Sequence, residues 1–380
     1  MNINVLHTIN AFTALSGGTS SCTYDLLAAL NVRKDVSARV MATRAKDRTP
    51  LMGKGEEWII PVENDEFTPF GLSRNLRTAL MQTDADVYHT NGLWRYCNHV
   101  TATVARSKHK PYVITPHGML YPQALAHSEW QKRVLRTLFF DRDLREAACL
   151  HATCEEEMNI IRALGFRTPI AVIANPVPAP LVTPIQRTGK VVFGFLGRLH
   201  PRKHVERIID ALALLSPAEQ TNCELVIIGS GDAEYETFLH REAERKGLQN
   251  VRFAGFMEGA EKQRLLASLS ALFVPSDFEN FGMIIAEALS CGTPVFANTT
   301  TPWRILNETG CGWWQEATPQ NMAAIMRQLL TMEPEKIDEM GRKGTKLVAE
   351  RFSAESVAQQ MKELYQWILT KQNKPSFVYD

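Results

Sequence analysis

No run of about 18 consecutive apolar residues occurs in this 380-residue chain, so a membrane-spanning helix is not expected. Charge of one sign is also missing. The 42 Lys and Arg residues nearly cancel 41 Asp and Glu, leaving a formal net charge of +1. A dedicated nucleic-acid binder carries a clear basic surplus, so that class is set aside. The seven cysteines form no CxxC pair. Odd in number and scattered, they read as reduced thiols of a cytoplasmic protein. Cys149, His151 and Cys154 stand close together, but residues 147–153 read as a buried strand. Zinc-binding cysteine pairs usually come with a second pair at recognisable spacing. The opening Met1-Asn-Ile-Asn-Val-Leu-His lacks a basic stretch before a long apolar core, and reads as a first strand rather than a signal peptide. With 45% hydrophobic and 22% charged residues, wholesale disorder is excluded.

What is present is alternation. Residues 4–9, 36–43, 58–62, 87–89, 112–115, 150–153 and 170–173 have the short, β-branched character of strands. Residues 20–30, with Tyr24, Leu27, Ala28 and Leu30 on one side, and 73–81 have helical spacing. Residues 175–184 then hold four prolines in ten positions, which suits neither a helix nor a central strand. Beyond this linker the alternation restarts. Strands are expected at 191–196, 224–228, 251–254, 271–274 and 294–297, and helices at 204–215, 233–246, 260–269 and 282–289. The fold class is therefore α/β, with two parallel-sheet domains of Rossmann type. The expected boundaries are 1–175 and 184–356. Ligands of such sheets bind at the carboxyl ends of the strands, and the cleft between two such lobes is the expected site. Residues 354–369 form an amphipathic helix, with Val357, Met361, Leu364, Tyr365 and Ile368 on its apolar face.

Four stretches carry chemistry. Ser16-Gly17-Gly18-Thr19 lies between the first strand and first helix. Glycine there permits close approach, and a helix start offers N–H groups to phosphate; a tight turn explains the pair equally well. Gly197-Arg198 and Lys203 stand in the same position in the second half. Two cations beside a helix start can clamp a diphosphate; the bland alternative is a solvated basic loop. Gly229-Ser-Gly231 is a weaker nucleotide signal, because the full GxGxxG of dehydrogenases is absent. Ser276-Asp-Phe-Glu-Asn-Phe-Gly-Met places Glu279 in a loop and Glu287 on an apolar helix. A carboxylate in such a setting needs hydrogen-bond donors, for which ribose hydroxyls are candidates. The N–H groups of Asn280, Phe281, Gly282 and Met283 are expected to begin that helix and face phosphates.

Glu279 and Glu287, together with Gly282, Gly292, Pro294 and Val295, resemble the E-x7-E signature of family 4 retaining glycosyltransferases of the GT-B fold. The resemblance extends over nearly the whole chain. It includes Gly17-Gly18, Thr115-Pro-His117-Gly, Gly197-Arg198 with Lys203, Gly229-x-Gly231 and the closing Arg351-Phe-Ser-Ala-Glu. It implies two Rossmann-like lobes, an N-terminal acceptor domain and a C-terminal donor domain. It also implies a last helix crossing back to the first lobe, at about 357–380. By this resemblance Gly17 and Gly18 approach the donor, and Arg198 and Lys203 neutralise its diphosphate. Glu279 holds the transferred sugar, Glu287 binds ribose, and Gly229 and Phe256 lie near the nucleotide. His117 contacts the transferred sugar. Met283 replaces the more usual Leu, which touches packing alone. Asn91, Trp94 and Arg95, one strand earlier, could line an acceptor site; Trp94 alternatively only packs.

The expected activity is retaining transfer of a sugar from UDP-sugar or GDP-sugar to a glycan or lipid-linked glycan. The setting implied is bacterial surface polysaccharide assembly. The alternatives are an epimerase of the same fold and transfer to a small soluble acceptor. A non-catalytic sugar-nucleotide binding module ranks well behind, since the polar residues for transfer are all present. No cofactor or metal is expected, since Asp84-Ala-Asp86 precedes a strand and so lies at its amino end. Residues 130–140 read as a basic amphipathic helix, with Trp130, Val134, Leu138 and Phe139 at near-helical spacing. It could touch the anionic inner face of the cytoplasmic membrane; the alternative is that Lys132, Arg133 and Arg136 form a solvated face over a core stripe. The first 175 residues carry a net +3 and the remainder −2, which has the sign that membrane contact requires.

Overall fold

The computed structural model describes residues 2–380 except 48, 54 and 183–188. The end of the proline-rich segment, and the expected boundary at 184, therefore lie outside the described residues. The chain divides into two compact units. One comprises Met1–Pro176 with Ala354–Asp380, and the other Val177–Ser353.

The first unit contains β1 (Ile3–Ile9), β2 (Val36–Thr43), β3 (Ile59–Val62), β4 (Val87–Asn91), β5 (Tyr112–Thr115), β6 (Cys149–Ala152) and β7 (Ile170–Val172). The second contains β8 (Val191–Leu196), β9 (Cys223–Ile228), β10 (Val251–Gly255), β11 (Ala271–Val274), β12 (Val295–Ala297) and β13 (Gly312–Trp314). A short β14 (Val378–Tyr379) returns to the first unit and pairs antiparallel with β7. The first sheet runs β14-β7-β6-β5-β4-β1-β2-β3, and the second β10-β9-β8-β11-β12-β13. Each order reverses direction beside its first strand, at β1/β4 and at β8/β11. In open α/β sheets, that reversal opens a crevice beyond the carboxyl ends of the strands.

Strand alternation sorts the side chains of the first sheet. Leu6, Tyr88, Ile114 and Leu150 join one apolar core. Val5, Val87, Val113 and Cys149 join the other, which also contains Val357, Met361, Leu364, Tyr365 and Ile368. The helix Ala354–Thr370 thus belongs to the first unit and packs against the helix Gly18–Val32. On that earlier helix the buried face is Cys22, Leu26, Leu27 and Leu30, with Ala28 and Tyr24 half-buried at its margin.

Residues 130–140 depart from a plain amphipathic helix. An α-helix at Glu129–Leu135 passes into a π-helical turn at Arg136–Phe140. The extra residue in that turn rotates the following side chains. Phe140 becomes buried, and Leu138 is left outside with Trp130 and Val134. The residues read as a possible core stripe, apart from half-buried Phe139, instead face solvent.

Candidate functional site

In the second unit, the loops after β8 and β11 meet at the switch point. Gly197 and Arg198 follow β8, a single 3-10 turn spans Pro201–Lys203, and left-handed His204 opens the helix Val205–Ala213. The loop after β11 is tied to it at several points. Asp277 N–H donates to the Arg202 carbonyl at 3.1 Å, and its carboxylate meets His204 Nε2 at 2.5 Å. Lys203 Nζ donates to Glu279 Oε1 at 2.5 Å. Arg198 is exposed and makes no ion pair among the described residues. Among the described residues the loop therefore offers two exposed cations without an ion pair, Arg198 and Arg202, and one, Lys203, that already has a carboxylate partner.

Two expectations change here. The helix carrying Glu287 begins at Met283, not Asn280. Gly282 is left-handed, at φ 80°, and the Phe281 carbonyl accepts from the indole N–H of buried Trp303 at 2.5 Å. Asn280, Phe281 and Gly282 therefore form the loop before the helix. Second, Glu287 has a protein partner in its apolar surroundings, because Lys262 Nζ donates to its Oε2 at 2.9 Å. That lysine stands 25 residues earlier, on the helix Gly259–Ser268.

Gly229 has a local structural explanation. A β-carbon there would lie 1.9 Å from the Gly197 carbonyl oxygen, and one on Gly231 2.2 Å from that of Leu199. Both glycines let the loop after β9 press against the loop that carries Arg198. Gly17 and Gly18 differ, since β-carbons there would meet nothing within 4 Å. Gly17 takes φ 81° and so needs glycine for its backbone. Gly18 has neither reason. Phe256, just after β10, is 65% exposed.

In the first unit, His117 lies just beyond β5 in left-handed conformation, at φ 51°. Its Nε2 is 3.2 Å from Asn91 Oδ1, and burial lowers its pKa to about 3. The adjacent Gly118 N–H donates to the buried Glu157 carboxylate at 2.5 Å. Glu157 also accepts from the Thr153 N–H at 2.8 Å, so it anchors the loops after β5 and β6 together. Asn91 is buried, with its amide engaged by His7, Thr8 and His117; it faces inward rather than toward an acceptor. Trp94 packs edge-on to Phe140. Arg95 pairs with Glu66 at 3.1 Å and lines an open depression of about 340 Å³ with Asn10, Thr13, Ser16 and Asn64.

Motif reading missed a buried polar row. His7, His89, Thr115 and His151 lie near the carboxyl ends of β1, β4, β5 and β6, with Tyr365 beside them. The available signal was one of parity. Each stands two positions after an apolar residue of the same sheet face: Val5, Val87, Val113 and Cys149. Among the described residues, no group of three or more His, Cys, Asp and Glu side chains could hold a metal ion.

The description "Glycosyl transferases group 1" matches residues 184–347, and "Glycosyl transferase 4-like domain" matches 17–176. The chain belongs to the group 1 glycosyltransferases. A GDP-mannose-dependent alpha-(1-6)-phosphatidylinositol dimannoside mannosyltransferase of Mycobacterium tuberculosis is 33% identical over 138 residues, covering 36% of this chain and 34% of that protein. A D-rhamnosyltransferase of Pseudomonas aeruginosa is 24% identical over 304 residues, covering 76% and 75%. Of the first curated relatives it matches, the chain spans about a third of the length. The structure of Anabaena HepE with UDP and glucose has a TM-score of 0.76 at 22% identity, covering 96% of this glycosyltransferase and 100% of that chain. The fold is GT-B.

Proposed function

We propose that this glycosyltransferase moves a sugar from a nucleoside-diphosphate sugar to a glycan or lipid-linked glycan acceptor, with retention of anomeric configuration. Arg198 carries the reading. A cation exposed on a glycine-hinged loop at the switch point, without an internal carboxylate, suits an external anion. Lys203 adds a second positive charge, and the N–H groups from Asn280 to Met283 add dipoles near the start of a helix. Together they can stabilise charge developing on a leaving diphosphate. Glu279 orients hydroxyls of the transferred sugar, and Glu287 binds the ribose. Gly17 and Gly18 let the donor approach, and Phe256 lies near the base. His117 contacts the sugar from the first unit, whose depression beside Arg95 receives the acceptor.

Double displacement would require a carboxylate nucleophile close to the anomeric carbon. Front-face attack requires none, because the leaving phosphate takes the acceptor's proton. The donor is a UDP-sugar or GDP-sugar; solved relatives are described with UDP, and the mycobacterial relative is described as GDP-mannose-dependent. Surface polysaccharide assembly is the proposed setting; the similar proteins include a D-rhamnosyltransferase of Pseudomonas aeruginosa and a structure described as a lipopolysaccharide outer core galactosyltransferase.

A thermal-shift screen of UDP, GDP, ADP and their sugars tests the donor assignment. The stabilising donor should support transfer in the presence of a chelator, with an anomer-retained product by NMR. Inversion of the anomer would refute retention, and loss of transfer on chelation would refute metal independence. An epimer formed from donor alone would replace transfer with isomerisation.

A further inference from the structure

We infer that a one-way chain of buried hydrogen bonds holds His117 in a single tautomer, with a proton on Nε2 and an open lone pair on Nδ1. The inference rests on the reading above only in assigning His117 to the substrate.

The chain begins at the Ile173 backbone carbonyl, which can only accept. His151 Nε2 lies 2.8 Å from it and must carry a proton. Its Nδ1 then accepts from the Thr115 hydroxyl at 2.8 Å. Having given its proton, that hydroxyl accepts from His89 Nε2 at 2.7 Å. His89 Nδ1 accepts from the Tyr365 hydroxyl at 2.7 Å, whose oxygen accepts from His7 Nε2 at 3.0 Å. His7 Nδ1 accepts from Asn91 Nδ2 at 3.3 Å, and Asn91 Oδ1 accepts from His117 Nε2 at 3.2 Å. Every hydroxyl donates once and accepts once, and every imidazole is neutral.

A second anchor acts independently. Asn91 Nδ2 also lies 3.3 Å from the Thr8 backbone carbonyl. An amide turned the other way would set two acceptors against each other there. Thr8 and Ile173, on β1 and just after β7, therefore give the same polarity from both ends. Burial holds all four imidazoles in their neutral form, lowering His7 and His117 to about 3, His151 to about 4 and His89 well below its ordinary value. It likewise raises Tyr365 and keeps its hydroxyl protonated.

The consequence concerns what His117 can recognise. Its Nδ1 has no protein partner among the described residues and is not among the fully buried polar atoms lacking one. As an acceptor, it fits a hydroxyl of the substrate and disfavours a phosphate oxygen. Asn91, His7, Tyr365, His89, Thr115 and His151 are positioning residues acting through it. Tyr365 is the only member from the helix Ala354–Thr370, 358 residues from its partner His7.

The test is a long-range proton–nitrogen NMR correlation on full-length protein with labelled histidine at neutral pH, assigned with His→Gln variants. His7, His89, His117 and His151 should all show the neutral Nε2–H pattern. A charged or Nδ1-protonated His117 would overturn the inference, whether or not transfer is ever observed. Tyr365→Phe should change the His7 and His89 patterns, and Thr115→Val those of His89 and His151. Each should lower kcat roughly tenfold or more by misplacing His117, with little change in KM for the donor, and Thr115→Ser should restore both readouts. Unchanged spectra in both breaking variants would also overturn it.

Discussion

Lys203 and Glu279 are paired at 2.5 Å across two loops of the second unit, from positions 76 residues apart. The pair preloads each group with a partner that the donor must in part replace. Glu279→Gln removes the carboxylate's charge and releases the lysine. Nucleoside diphosphate affinity should be retained or increased, while transfer falls on the order of 100-fold. Lys203→Ala should weaken diphosphate binding instead. Calorimetry with the bare nucleotide and steady-state kinetics with its sugar separate the two effects. Equal losses of diphosphate affinity in both variants would contradict this division of roles.

Arg198 is exposed and lacks an internal ion pair among the described residues. Arg198→Ala should change folding stability by no more than about 0.5 kcal/mol. The thermal shift produced by nucleoside diphosphate should shrink sharply, and more than that produced by the nucleoside. A variant that lost both equally would show that the guanidinium does not face the diphosphate.

The two glycine pairs should separate packing from ligand approach. Gly229→Ala puts a β-carbon against the Gly197 carbonyl and should destabilise the second unit by about 1–3 kcal/mol. Gly18→Ala meets nothing within 4 Å and should leave the melting temperature near wild type while weakening donor binding. Denaturant melts, with and without donor, check both outcomes.

Acid should destabilise the first unit through its buried imidazoles. Their pKa values lie below the ordinary 6.5 because burial excludes charge. Above pH 6.5 both folded and unfolded forms are neutral, and these groups add no pH dependence. Below it the unfolded chain binds protons that the folded chain refuses. Stability therefore falls until the native groups themselves titrate, near pH 3–4 for His7, His117 and His151. At pH 5 these groups should take up about four protons on unfolding. Unfolding without proton uptake would show that the row is already charged.

Trp130 and Leu138 are 75% and 64% exposed, beside Arg133. An apolar stripe flanked by basic residues favours an anionic interface. The protein should cosediment with vesicles containing phosphatidylglycerol at low salt and be released at high salt. Trp130→Ala with Leu138→Ala should weaken binding without loss of stability. Absence of binding at low salt would refute membrane contact by this segment. No described helix is long and apolar enough to cross one.

Much of the strand pattern was legible because short β-branched runs are punctuated by glycine and proline. The helix Tyr96–Ser107 was not, because Asn98, Thr101 and Thr103 interrupt its apolar period. Burial and hydrogen bonds to neighbouring groups accommodate Asn98 and Thr101. The motif residues of the second unit could be named, but their internal partners could not. Lys262 reaches Glu287 only after two helices pack, and Trp303 shifts the helix start through a carbonyl 22 residues away. The buried histidines belong to no short motif, and nothing local connects His7 to Tyr365.

The return of residues 354–380 to the first unit also orders events during synthesis. A ribosome has made every strand of the second unit before the helix bearing Tyr365 emerges. The second unit can therefore mature first, although it is encoded later. The first unit, begun at residue 3, must wait with one face of its sheet uncovered and its row of histidines unfinished. A chain truncated at residue 353 and released from the ribosome should already protect the second unit from protease and leave the first open to cleavage.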